Sequence, residues 1–213
     1  MTPVNYSSLY RIRTGICQKE VNMKTQNDPI CIISFSSRAN GSCGQIGSLI
    51  QEYYGQNACL FRFSDFSISS CNRCNYQCFS KNRPCPHLED MEQTLIKSIL
   101  SSALTYFIVP NYCDFPCSNY FVFCERQQSY FGNHTEQLKL YEAIPKRFIT
   151  ITNTNQDNFK RAFSYHVNGT PDILYLSARH YGKISLNGDL LSSSQAKKDI
   201  LSFLSSSSSA ILL

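Results

Sequence analysis

The sequence predicts an α/β fold in which a doubly wound sheet of five parallel strands carries helices on both faces. Short apolar runs rich in β-branched residues recur along the chain, which is typical of strands buried on both faces. Segments with helical apolar spacing separate these runs, and strands that alternate with helices form a parallel sheet. The chain has 213 residues with 42% hydrophobic content, which is enough to bury one sizeable core.

The central strand is predicted at Ile30–Phe35, where an unbroken apolar run ends in a loop of small and polar residues. Further strands are predicted at Ala58–Phe63, Leu104–Val109 (ended by Pro110), Lys146–Thr152 and Asp172–Ser177. Helices are predicted through Ile46, Leu49, Ile50 and Tyr53, and at His87–Ser101, Ser118–Phe131, Asp157–His166 and Ser194–Leu204. Five strands in this length favour the flavodoxin-like order 2-1-3-4-5, in which a ligand binds at the carboxyl ends of the strands.

A single domain is expected at residues 29–204. Residues 1–28 show no sustained periodicity, which predicts a poorly ordered leader, and Met23 is a second candidate for the natural start. The serine-rich segment 205–213 is predicted to be a low-complexity tail.

Charge and hydropathy exclude two classes of partner. The net charge of +5 is mild and the basic residues are scattered, so we do not expect nucleic acid. No apolar run approaches the ~18 residues of a membrane span, and the N-terminus has no signal-peptide core. We therefore expect a cytoplasmic protein without a membrane partner. In that compartment, metal binding, redox chemistry or burial must account for the eleven cysteines.

The loop after the first predicted strand has the composition of a phosphate site. It offers hydroxyls, a guanidinium and flexible backbone just before a helix N-terminus, through Ser36, Ser37, Arg38, Asn40, Gly41 and Ser42. An ordinary strand-to-helix turn uses the same residue types, so both interpretations stay open. The G-x-G-x-x-G pattern is absent here, which favours a mononucleotide over NAD as the tightly held ligand. The loops at Pro110–Cys113 and Asn153–Gln156 are expected at the same edge of the sheet.

Four cysteines lie within fifteen residues, at Cys71, Cys74, Cys78 and Cys85. Their number suits a tetrahedral zinc ion or a cubane [4Fe–4S] cluster equally, and buried thiols without a metal are the third interpretation. A second pair, Cys113 and Cys117, is either a redox-active disulfide or two small apolar residues near a helix start.

Three segments resemble the NADPH-dependent FMN reductase family. Residues 36–42, Ser-Ser-Arg-Ala-Asn-Gly-Ser, are similar to its S-P-R-x-x-G-N/S-T loop, with Ser37 in place of the proline. The spacing Cys71–Cys85 followed by Glu89-Asp90-Met91 resembles its iron-sulfur flavoprotein branch, with a middle gap one residue longer. Pro110-Asn111-Tyr112 matches the P-x-Y after its third strand, and Arg126 falls near a family arginine.

The resemblance implies a flavodoxin-like fold, bound FMN, a possible homodimer, and electron transfer from NAD(P)H or a ferredoxin. It places the FMN phosphate at Ser36, Arg38, Asn40, Ser42 and Cys43, with Gly41 between them. It places the isoalloxazine ring beside Pro110, Asn111, Tyr112 and Cys113.

The sequence therefore predicts an FMN-dependent oxidoreductase that relays electrons, through a [4Fe–4S] cluster on the four cysteines, to an unknown acceptor. Two other functions remain open. One is a non-enzymatic flavin and iron–sulfur carrier or redox sensor. The other is a flavodoxin-like scaffold with structural zinc.

Overall fold

A computed structural model of the chain describes residues 29–207, except 72–74, 76, 80–84, 133 and 155. The predicted leader and most of the predicted tail lie outside the described residues. The strands are β1 (Ile30–Ser34), β2 (Ala58–Arg62), β3 (Leu104–Tyr112), β4 (Phe115–Pro116), β5 (Lys146–Ile151) and β6 (Asp172–Leu176). The α-helices are α1 (Ser42–Tyr54), α2 (Glu92–Leu100), α3 (Ser118–Phe131), α4 (Thr135–Ala143), α5 (Asp157–Phe163) and α6 (Ser194–Ser207).

The sheet has the order β2-β1-β3-β5-β6, with all neighbours along this path parallel. The two-residue strand β4 pairs antiparallel with the end of β3 and lies off the path. Without β4, the order is the predicted 2-1-3-4-5. The doubly wound α/β fold is therefore confirmed.

Strand β1 is central because all five of its residues are buried. Ile30 and Ile32 belong to the core on one face, together with Ile46 of α1 and Ile200 of α6. Alternate residues point to the opposite face, so Ile33 packs in the other core, which α2, α3 and α5 cover. A Cβ on Gly47 of α1 would lie 2.8 Å from Leu60 Cδ1, so this glycine lets α1 approach the sheet closely.

Helix α4 has no counterpart in the predicted elements. Tyr141 is its one buried side chain, so its sequence shows no apolar stripe. Helix α2 begins at Glu92 rather than His87, because the Asp90 carboxylate accepts the Glu92 backbone N–H at 3.1 Å ahead of the first turn. No helix among the described residues is long and apolar enough to cross a membrane.

Strand β3 runs through Pro110 to Tyr112, although the proline was predicted to end it. Alternate residues of a strand bond to opposite neighbours. Ile108 O accepts from Phe35 N on the β1 side, whereas Thr105 N donates to Pro145 O on the β5 side. The nitrogen of Pro110 therefore faces the β1 side, where strand pairing has already ended at the Ser34–Ile108 register. Its missing N–H costs no ladder hydrogen bond.

A buried polar network lies under the α3 face of the sheet, centred on His166. Tyr120 Oη donates to Ala162 O at 2.9 Å, so it accepts from His166 Nε2, which lies 2.8 Å away. Gln127 donates to Tyr141 Oη, whose own proton is then available to His166 Nδ1 at 2.7 Å. This pattern describes a neutral imidazole protonated on Nε2. Burial, with a smaller effect from the charge of Lys146, lowers the pKa of His166 to about 3.

We expect His166 to make the protein sensitive to mild acid. The unfolded imidazole has a pKa of about 6.5, so between pH 6.5 and 3 the unfolded chain takes up a proton that the folded protein does not. The free energy of unfolding should fall by about 1.4 kcal/mol per pH unit through this window as the pH decreases. Denaturant titrations of wild type and His166→Gln at several pH values measure this change in the free energy of unfolding.

The difference in stability between wild type and the variant cancels the effects of other titrating groups. Burial raises the pKa of Glu92 to about 7, although the charge of Arg126 opposes this shift. Between the unfolded and folded pKa of Glu92, the free energy of unfolding therefore rises as the pH falls, which is opposite to the effect of His166. The Glu92 effect is present in both proteins and cancels from the difference. The stability advantage of wild type over the variant should shrink on acidification, and parallel pH curves would contradict the assignment.

Candidate functional site

The carboxyl edge of the sheet brings together the loop at residues 35–41 and the β3–β4 hairpin at residues 110–117. The two follow neighbouring strands, β1 and β3, at the point where the chain changes direction in the sheet. Phe35 O joins them, because it accepts from Cys117 Sγ at 3.4 Å and from Asn119 Nδ2 at 2.9 Å. Asn119 Nδ2 also donates to Ser37 Oγ at 2.9 Å. The structure therefore brings the two predicted halves of the FMN site to one place.

The loop before α1 is closed by its own hydrogen bonds. Ser36 Oγ accepts from Arg38 N at 3.1 Å, and Gly41 N donates to Arg38 O at 3.3 Å. Gly41 then caps α1 in an extended conformation, and no acidic residue lies in the first turn of the helix. A Cβ added at Gly41 would lie 3.2 Å from Arg38 Cβ. The cap is therefore compact, and helix N–H groups face it without a competing carboxylate.

Ser42 provides the observation that an anion would explain. Its residue is 5% exposed, and its Oγ is buried without a hydrogen-bond partner among the described residues. A buried hydroxyl left unpaired costs about 1–3 kcal/mol. A phosphate oxygen at the α1 N-terminus would supply the acceptor. The neighbouring Cys43 is buried, which raises the pKa of its thiol, so it contributes backbone and bulk rather than a thiolate.

The segment 184–188 forms one side of the loop, a contribution that the sequence analysis did not anticipate. Arg38 Nη2 donates to Leu186 O at 2.6 Å, and Gln45 Nε2 donates to Gly188 O at 2.8 Å. Gly188 has a φ of 68°, and a Cβ there would lie 2.8 Å from Asn40 O. The Asn187-Gly188 dipeptide marks a turn in the sequence, but nothing local indicates that this turn meets the first loop.

The end of β3 is tied to the loop that follows β5. Asn111 Nδ2 donates to Thr152 Oγ1 at 2.6 Å and to Thr154 Oγ1 at 2.7 Å. Its Oδ1 is buried and has no hydrogen-bond partner among the described residues. Tyr112 and Phe115, paired across the hairpin, remain 57% and 50% exposed. The hairpin therefore presents aromatic surface at the edge where the ring is predicted, and it keeps one buried amide oxygen that has no partner among the described residues.

Cys113 and Cys117 differ in environment, and both thiols are free. Cys113 is exposed at a turn, with a φ of 52°. Cys117 is buried against Phe35, and burial raises its pKa to about 11. A redox-active pair needs a thiolate with a lowered pKa, so the geometry favours small residues at a helix start.

The described part of the cysteine-rich segment packs against α3. The Cys71 backbone N–H donates to the Glu125 carboxylate, and Cys71 Sγ lies 3.8 Å from Glu125 O. Glu125 is seven residues into α3, which places Cys71 roughly 10 Å along the helix from its start at the edge. Cys78 and Cys85 are buried.

One guanidinium holds both ends of this segment. Arg126 is fully buried and donates to Ser69 O at 2.6 Å and to His87 O at 3.2 Å. It also forms an ion pair with Asp90 at 2.6 Å, and Glu92 lies 3.6 Å away. The base of the segment is therefore anchored to α3 independently of any metal.

The described residues do not assemble a complete metal site. Within ranges 29–71, 77–79 and 85–207, with their gaps, no three Cys, His, Asp or Glu side chains are placed to hold a metal ion. Cys74, one of the four predicted ligands, lies outside the described residues. The [4Fe–4S] cluster and the zinc alternative on Cys71, Cys74, Cys78 and Cys85 thus stay predictions of the sequence.

No protein-family model matches this sequence, and no curated protein sequence is similar to it. Among solved structures, Trp repressor binding protein from Bacillus subtilis superposes with a TM-score of 0.54 at 14% identity, over 80% of this chain and 94% of that one. FerB, a flavoenzyme NAD(P)H:(acceptor) oxidoreductase from Paracoccus denitrificans, gives 0.48 at 12% identity, over 84% and 96% of the two chains. The apo form of the NADH:FMN oxidoreductase EMOB gives 0.42 at 12% identity, over 83% and 88%.

At these identities the likeness concerns the fold alone, and the last two TM-scores are too low to support an inference. The superposition on the Bacillus subtilis structure agrees with the strand order described above. Together they confirm a flavodoxin-like doubly wound sheet.

Proposed function

We propose that this protein is an FMN-dependent oxidoreductase that takes electrons from NAD(P)H or a ferredoxin and passes them to an acceptor. The observation that carries the proposal is the buried Ser42 hydroxyl at the start of α1, which has no hydrogen-bond partner among the described residues. It lies beside the crevice of a doubly wound sheet, between the two strands where such folds bind mononucleotides.

The loop would hold the FMN phosphate. A dianion beside the first turn of α1 is stabilised by the unpaired N–H groups and by the helix dipole, an effect of about 0.3–1 kcal/mol for each charge. Ser36, Asn40 and Ser42 supply polar groups, and Gly41 and Cys43 supply backbone. Arg38 belongs to the loop itself. Its guanidinium has five N–H donors, one of which is used by Leu186 O.

The hairpin would border the isoalloxazine ring. Pro110 and Asn111 end β3 at the crevice, and the Asn111 Oδ1 that lacks a partner is a hydrogen-bond acceptor for a ring N–H. Tyr112 and Cys113 follow at the exposed turn, where apolar surface can cover a planar ring and exclude water. Bound FMN would supply hydride acceptance and single-electron transfer, while the protein supplies binding, orientation and tuning of the potential.

Replacing Gly41 by aspartate should release FMN without unfolding the protein. Aspartate is at least as good a helix N-cap as glycine, so α1 should be retained. Its carboxylate would occupy the place where the phosphate binds and repel it. We expect wild type to bind FMN stoichiometrically and, once loaded, to consume NADPH or NADH when a quinone is added. Gly41→Asp should do neither, by flavin absorbance and nicotinamide oxidation.

Gly41→Ala is the matched control. Its Cβ meets Arg38 in the same way but carries no charge, so it should keep FMN with at most a modest loss of affinity. Retention of stoichiometric FMN by Gly41→Asp would refute the phosphate assignment. Tight FMN binding without nicotinamide oxidation, but with reduction by a ferredoxin alone, would identify an electron carrier instead of an NAD(P)H-dependent enzyme.

For the cysteine-rich segment we propose a [4Fe–4S] cluster ligated by Cys71, Cys74, Cys78 and Cys85, supported by the ligand spacing in the sequence. Anaerobically purified protein should then contain about four irons and four sulfides per chain, because a cubane needs four thiolates. Cys78→Ser should lose them. Cys31→Ser, which changes a buried thiol of β1, should keep them. One zinc without sulfide would make the segment a structural zinc site, and neither metal would refute both assignments.

A further inference from the structure

A second cavity lies on the β2 side of α1, outside the crevice. Its volume is about 370 Å³, within the range of small-molecule sites. The polar groups that line it are Asn40, Gln45, Ser48, Arg62, Ser64 and Asp65. It shares only Asn40 with the residues assigned above to FMN.

Arg62 reaches this cavity because of its place in β2. Ala58 and Leu60 pack in the core under α1, and alternation along the strand puts Arg62 on the same face. Arg62 is the last residue of β2, paired in register with Ser34. Its Nη2 donates to Ser48 Oγ of α1 at 2.8 Å, which orients the guanidinium across the cavity.

Arg62 is half-buried, the hydrogen bond of its guanidinium to Ser48 is exposed, and it has no carboxylate partner among the described residues. The two buried arginines among the described residues, Arg126 and Arg147, each pair with an aspartate at 2.6 Å. A guanidinium that lines an open cavity and forms no ion pair with the described residues is free to bind an anion there. The planar fork of arginine matches phosphate oxygens in particular.

Asp65, which also lines the cavity, indicates what kind of group carries the phosphate. Its Oδ1 accepts from Ser64 Oγ at 2.8 Å, and the carboxylate forms no ion pair with Arg62. A carboxylate repels a bare phosphate but accepts hydrogen bonds from hydroxyl groups. A guanidinium and a carboxylate in one cavity therefore suit a ligand that carries both a phosphate and free hydroxyls.

We propose that this cavity binds a sugar phosphate, with the phosphate on Arg62 and Ser48 and the sugar hydroxyls toward Asp65. The sugar phosphate is either part of a nucleotide or a free metabolite. The cavity borders the loop assigned to FMN, which contributes Asn40, but Arg62, Ser64 and Asp65 lie in β2 and the segment that follows it.

Calorimetric titration of the full chain tests the proposal with three probes: 2′,5′-ADP, ribose 5-phosphate and inorganic phosphate. At least one of the two sugar phosphates should bind, and inorganic phosphate should bind more weakly than that ligand. Binding of 2′,5′-ADP alone identifies a nucleotide source, whereas binding of ribose 5-phosphate identifies a free sugar phosphate. If neither sugar phosphate binds, or if inorganic phosphate binds as tightly as the tighter of the two sugar phosphates, the proposal is wrong.

Variants separate Arg62 from general charge effects. Arg62→Gln should weaken the sugar phosphate about 10- to 100-fold, because a hydrogen-bonded charge partner is lost. Arg62→Lys should recover part of the affinity, since it keeps the charge but not the fork. Arg161→Gln removes an exposed charge on α5 and should change nothing. Equal affinities for wild type and Arg62→Gln would overturn the assignment.

The same titrations at saturating FMN show that the two sites are independent. The affinity for the sugar phosphate should not change when FMN is bound. Competition by FMN would mean that both ligands occupy the same site. A protein that binds no flavin would end the proposed function, while the loss of sugar phosphate affinity in Arg62→Gln would still test this proposal on the flavin-free chain.

Discussion

The burial of β1 on both faces is the constraint on which the rest of the structure depends. Two separate cores meet across this strand, and each fully buried aliphatic or aromatic side chain contributes about 1.5–3 kcal/mol relative to exposure. A register shift by one residue would exchange the two sets of side chains, so the strand has one position. That position determines where β1 ends, and hence where the loop at residues 35–41 emerges.

Contacts made by Phe35 connect this constraint to the crevice. Its ring lies 5.1 Å from that of Phe63 and 5.5 Å from that of Tyr120, within an aromatic cluster under α3. Its carbonyl oxygen holds Cys117 and Asn119 at the start of α3. The side chain thus anchors the loop in the core while its backbone aligns α3 with that loop. A glycine at this position would lack the first of these functions.

Four of the nine described cysteines act as core residues rather than as reactive groups. Burial raises the pKa of Cys117 to about 11 and that of Cys124 to about 12, so both remain protonated near neutral pH. Burial also raises the pKa of the Cys31 and Cys43 thiols, and by more. Reactive or metal-bound thiols need the opposite shift. The other described cysteines are Cys71, Cys78 and Cys85 of the cysteine-rich segment, the half-buried Cys59 and the exposed Cys113.

The sequence predicted the five long strands, their order and the loop before α1, because apolar periodicity and turn composition are local properties of the chain and the alternation of strands with helices restricts the order. It did not identify α4, whose single buried side chain, Tyr141, leaves no pattern. It also misplaced the end of β3, since only the neighbouring strands show that the nitrogen of Pro110 needs no partner. Tertiary structure alone decided that Gly188 closes the first loop, that Arg126 holds both ends of the cysteine-rich segment, and that Arg62 lines a cavity without a counter-charge. Each of these depends on contacts between residues far apart in the chain, and such contacts are set by packing and desolvation, which local sequence does not encode.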